Sequence, residues 1–61
     1  MDKVEAFCKE YNIMMHYDEV LDYYMFNDYD QLIFWSVVLD KDTFDQDAFI
    51  GHMKERFNIT D

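Results

Sequence analysis

Residues 21–39, LDYYMFNDYDQLIFWSVVL, decide how this chain folds. Residues 21–26 and 32–39 are two runs rich in aromatic and β-branched side chains, and Asn27-Asp28-Tyr29-Asp30-Gln31 is a polar break between them. That arrangement predicts a β-hairpin with a loop of a few residues. The second run is apolar almost throughout, which fits a strand covered on both faces. With a period of two, Ile33, Trp35, Val37 and Leu39 share one face, and Leu32, Phe34, Ser36 and Val38 share the other. The first set is the expected core. The second is less completely apolar, so partial cover is expected there, with a partner or a second copy completing it.

On the N-terminal side, residues 13–17 (IMMHY) read as a short strand and Asp18-Glu19 as a turn. A helix over residues 18–26, capped by Asp18, is the alternative. The aromatic density of Tyr23-Tyr24-Met25-Phe26 suits a pleated surface better. Residues 2–11 place Val4, Phe7, Cys8 and Tyr11 at i, i+3, i+4 and i+7, the stripe of an amphipathic helix that Asn12 can end. Cys8 lies in that stripe and reads as a small buried apolar residue, not as a reactive thiol.

Beyond the hairpin, residues 42–57 read as a second helix. Thr43 and Gln46 fit a capping box, with Asp42 as a competing cap. Phe49, Ile50, Met53 and Phe57 form its core-facing stripe, and Phe44 lies off it. Gly51 weakens this helix by up to about 1 kcal/mol relative to Ala, and a close approach to the sheet is one reason to keep it. The expected fold is α+β: a three-stranded antiparallel meander flanked by an N-terminal and a C-terminal helix (α-β-β-β-α), in a single domain over 1–61.

A chain of 61 residues has a marginal core. Its 51% hydrophobic and 20% aromatic content offsets that. One cysteine excludes an intramolecular disulfide. The start of the chain has no charged-then-apolar leader pattern, and no apolar run approaches the roughly 18 residues of a membrane span. A cytoplasmic location is the expectation. Fourteen acids against five bases give a net charge of −9. That disfavours direct binding to nucleic-acid phosphates and to anionic membranes, and it favours a basic partner.

Catalytic chemistry finds no constellation. Ser36 has no His near it in sequence, His16 and His52 lack metal-ligand spacing, and one Gly cannot build a phosphate loop. Asp40, Asp42, Asp45 and Asp47 suggest a calcium loop, but the pattern then needs Gly where Asp45 stands and Glu where Gly51 stands. The expectation is a protein that is not an enzyme and carries no cofactor.

The acids carry the functional expectation. Seven of them (Glu10, Asp18, Glu19, Asp22, Asp28, Asp30 and Asp40) follow one another with no Lys or Arg between Lys9 and Lys41. Asp18, Glu19, Asp22, Asp28, Tyr29 and Asp30 are the candidate partner-binding residues, with Asp40, Asp42, Asp45 and Asp47 as a second patch. Carboxylates interleaved with Tyr17, Tyr23, Tyr24 and Tyr29 can imitate a phosphate track, each accepting hydrogen bonds from a partner Lys or Arg. Two plainer explanations compete. Acids at a helix start favour its dipole, and charges on a sheet edge prevent aggregation. The expected class is a small acidic inhibitor of a basic nucleic-acid-binding protein. In size, charge and lack of catalytic groups it resembles phage-encoded anti-restriction and anti-CRISPR proteins as a class, although no motif carries that likeness. An antitoxin or immunity-type protein has the same electrostatics. An oligomeric adaptor, a homodimer included, would instead bind through the sheet face around Leu32, Phe34 and Val38.

Overall fold

A computed structural model describes residues 1–60. The elements follow as α1 (Asp2–Glu10), β1 (Met14–Asp18), β2 (Tyr23–Asp28), β3 (Ile33–Val37) and α2 (Gln46–Arg56). The strands form an antiparallel meander in the order β1-β2-β3. This is the expected α-β-β-β-α architecture. Residues 19–22 are a turn and Tyr23–Asp28 a strand, so the helical alternative for 18–26 does not occur.

Register explains the core. Met15, Phe26 and Trp35 lie in one row across the sheet, and Tyr17, Tyr24 and Val37 in the next. These rows face the helices. Phe26 is fully buried with Val4, Phe7 and Cys8 of α1, Ile13, and Phe49, Met53 and Phe57 at α2. The Phe49 ring sits at the centre, 5.6 Å from Phe26, 5.3 Å from Trp35 and 5.5 Å from Phe44. Aromatic pairs at such separations add to the area they bury. The helical stripes expected for α1 and α2 are therefore the buried ones, and Phe44 anchors the entry to α2. Burial, with Glu5 nearby, pushes the Cys8 thiol up to about 11, which suits an inert core residue.

Both helices end in the same way. Tyr11-Asn12-Ile13 and Phe57-Asn58-Ile59 each place Asn in the left-handed region, at φ 56° and 58°. The Ile13 N–H donates to the Cys8 carbonyl and the Ile59 N–H to the Lys54 carbonyl, both at 2.8 Å. This is the Schellman motif, which satisfies carbonyls that the last turn leaves open. The two hairpin loops, residues 19–22 and 29–32, are also alike. In each, the last aspartate of the preceding strand accepts from a backbone N–H three residues on: Asp18 from Leu21 at 3.0 Å, Asp28 from Gln31 at 3.1 Å. Each loop closes on a left-handed residue, Asp22 (φ 53°) or Leu32 (φ 59°).

Four expectations change. β3 is an edge strand with one uncovered face, not a strand buried on both. The second helix begins at Gln46, and Asp45 is its N-cap, accepting from the Asp47 N–H at 3.0 Å. The Thr43 capping box does not form, because Gln46 is engaged elsewhere. Its Oε1 accepts from the Lys3 and Val4 N–H groups at 3.0 and 3.4 Å and so caps α1, whose own N-cap, Met1, has no side chain to do it. A Cβ on Gly51 would meet nothing within 4 Å, so that glycine serves no close approach.

Candidate functional site

The meander brings together two sets of acids that are apart in sequence. Val37 pairs with Tyr24, so the end of β3 emerges beside the loop that precedes β2. Asp18, Glu19 and Asp22 of that loop thus share one end of the molecule with Asp40, Asp42, Asp45 and Asp47, which lead into α2. Lys41 marks the junction, its Nζ 3.9 Å from Asp22 Oδ1 with both groups exposed. Lys3 reaches the same end from α1, 3.3 Å from Asp47. Asp18, Glu19 and Asp22 of the first candidate patch therefore share one end with the second patch.

Most of these carboxylates also have local work. Asp18 and Asp45 hold a turn and a helix cap, Asp40 accepts from the Asp42 N–H at 3.0 Å, and Asp22 accepts from the Tyr17 hydroxyl at 2.6 Å. That last bond raises the Tyr17 phenol to about 12, because its proton is held between phenol and carboxylate. Glu19 and Asp42 are exposed acids of this end whose carboxylates accept none of these turn or cap bonds among the described residues.

The remaining candidates, Asp28, Tyr29 and Asp30, lie at the opposite end of the sheet, and here the sequence reading needs correction. β2 continues to Asp28, and the period of two puts that residue on the helix-facing side with Phe26 and Tyr24. Asp28 is only 5% exposed. Its carboxylate accepts from both the backbone and the side chain of Gln31, at 3.1 and 2.8 Å. The Gln31 side chain also donates to the Phe57 carbonyl at 2.6 Å, which ties the β2–β3 turn to the end of α2. The hydrogen bond from the Gln31 side chain holds the Asp28 carboxyl below its ordinary range against the opposing effect of burial. Asp28 is a structural acid. Asp30 accepts from the Asn12 side chain at 3.3 Å, and the Tyr29 ring packs edge-on at 5.8 Å from Phe34. These three form no continuous track with the acids at the other end.

Sequence reasoning placed Leu32, Phe34 and Val38 on the less covered face but missed how far that face extends. Met14, Asn27 and Phe34 form one row of it, and His16, Met25 and Ser36 the next. No element covers them: Phe34 is 57% exposed, Leu32 73% and Val38 70%. The signal was the alternation in residues 14–18, where Met15 and Tyr17 turn inward and Met14 and His16 outward. Beside β3, a groove of about 300 Å³ opens toward α2, floored by Trp35, Phe44 and Phe49. Among the described residues no group of His, Cys, Asp and Glu is arranged to hold a metal ion, and no helix is long and apolar enough to cross a membrane. No family model, curated protein or solved structure matches the chain.

Proposed function

We propose that the chain is a protein-binding inhibitor that docks its acidic end on a basic, nucleic-acid-handling protein and excludes nucleic acid from it. The observation that supports this reading is the convergence of seven carboxylates, from residues 18–22 and 40–47, at one end of a hydrogen-bonded sheet. A preformed array loses less entropy on binding than a mobile acidic tail. Encounter with a basic groove would be steered by the field and weakened by salt. The test is positional. The double variant Glu19→Lys with Asp42→Lys changes the charge by the same amount as Glu5→Lys with Glu10→Lys on α1. The immobilised chain is offered proteins from a heparin-binding fraction, with duplex DNA or RNA as competitor. Capture that the competitor displaces, and that is lost only in the first variant, supports the reading. Equal weakening by both pairs, or indifference to the competitor, removes it.

A second reading, self-association or adaptor binding through the open sheet face, is favoured by the exposed row of Met14 and Phe34 and its flanking Leu32 and Val38. Phe34→Asp would abolish that binding, whereas charge reversal at the acidic end would leave it intact. Sedimentation at micromolar concentration separates the two.

A further inference from the structure

The outer edge of β3 lies beside the groove lined by Trp35, Phe44 and Phe49. β3 pairs with β2 on one side, and among the described residues no strand lies on its other side. Ile33–Val37 has no charged residue, no proline and an unbroken register with β2. Edge strands usually carry one of those protections against pairing with a further strand. The other edge, β1, ends in Asp18 and has α1 beside it, and the groove there carries Lys9 as well as Glu5 among its lining residues, so it offers a basic segment no net charge to meet.

We infer that β3 accepts an extended segment of a basic partner by strand addition, with alternate apolar side chains of that segment seated in the groove. This rests on the proposed function and names the form its partner takes. Five residues of added strand span about 17 Å, the length of β3. Every second side chain of such a strand points toward the helix side, where Trp35, Phe44 and Phe49 floor the groove. Asp40 and Asp45 are among the residues that line it. Beside them Lys or Arg of the occupant belongs next to the apolar positions, whereas the Trp35 side of the groove already holds Arg56, 5.1 Å over the Trp35 ring. A second copy of this chain fits worse: its own edge strand is uncharged and brings another net charge of −9 with it.

The probe is a synthetic octapeptide of alternating Val and Lys, with a block-ordered peptide of the same composition as control. Amide hydrogen exchange of the full chain is read with each. The expected result is exchange at residues 33–38 slowed by about ten-fold or more with the alternating peptide, a shift in Trp35 fluorescence, and much weaker binding of the control. Asp40→Asn removes the charge but keeps an oxygen to accept from the Asp42 N–H, so it should weaken the alternating peptide while the thermal midpoint stays near that of the parent. Equal binding of both peptides, with protection at the acidic loops and none along β3, overturns strand addition and leaves the charge-based function standing. Failure of both peptides to bind at low salt overturns strand addition, and capture from the heparin-binding fraction then decides the charge-based function on its own. Protection of β3 in the peptide-free protein that rises with its concentration assigns the edge to a second copy and overturns the inference.

Discussion

Leu32 occupies a left-handed backbone position at φ 59° while its side chain is 73% exposed. For a residue with a Cβ that conformation costs about 1–2 kcal/mol, which Gly or Asn largely avoids. Leu32→Gly should therefore stabilise the chain by roughly 1 kcal/mol in chemical denaturation. If the exposed leucine contributes to binding through the open face, the same variant weakens that binding. Asp28 behaves in the opposite way. Removing its carboxylate leaves the Gln31 backbone N–H without its acceptor and takes one of the two acceptors from the Gln31 side chain, and Asp28→Ala should destabilise by about 1–3 kcal/mol. Its folded carboxyl titrates below the ordinary carboxylate range. The stabilisation is thus fully present above the unfolded pKa, near 3.9, and is lost as pH falls through the folded value. The acid limb of a stability-against-pH curve should be shallower in the variant; an unchanged limb would remove the assignment. The sequence could not distinguish this aspartate from its neighbours. One residue of register separates a loop acid from a core-facing one, and composition does not report where a strand stops.

At the scale of elements, periodicity was the reliable signal. The α1 and α2 stripes and the division of β3 into an inward set (Ile33, Trp35, Val37) and an outward set (Phe34, Ser36) are all legible in spacing, because burial imposes it. Long-range polar contacts were not legible. Gln46 fits a local capping box by spacing, yet it caps the other helix, since the chain's return brings α2 beside the N-terminus of α1. The shared aromatic-Asn-Ile endings at residues 11–13 and 57–59 are legible in sequence, because Asn tolerates the left-handed position that closes each helix. Two tests belong here. Gly51 is helical, and space surrounds it. Gly51→Ala should raise stability by up to about 1 kcal/mol, and a loss would mean that the glycine has a packing role. Asp45→Ala should lower stability by about 0.5–2 kcal/mol through loss of the N-cap, with the loss of helical circular dichroism concentrated in α2.

Over the whole molecule, the same acids contribute in two opposing ways, and this separates function from solubility. Asp45 and Asp47 lie at the start of α2, where negative charge is favourable. Glu19 and Asp42 lie on loops at the same end, and their carboxylates accept none of the turn or cap bonds that occupy Asp18, Asp22, Asp40 and Asp45. At that end they add to the mutual repulsion of a chain with net charge −9. Self-repulsion of this kind destabilises the compact state and is screened by salt. Salt should therefore raise the thermal midpoint of the parent chain at neutral pH. The Glu19→Lys, Asp42→Lys variant should start higher at low salt and respond less to it. Glu5→Lys with Glu10→Lys relieves the same net charge along α1 instead of on the two loops and should change the salt response less. An array maintained for binding makes the first variant more stable and less able to capture a basic protein. If that variant is instead less stable than the parent at every salt concentration, these acids hold local structure that the loops need, and the convergence at this end is a consequence of the fold and not a docking surface.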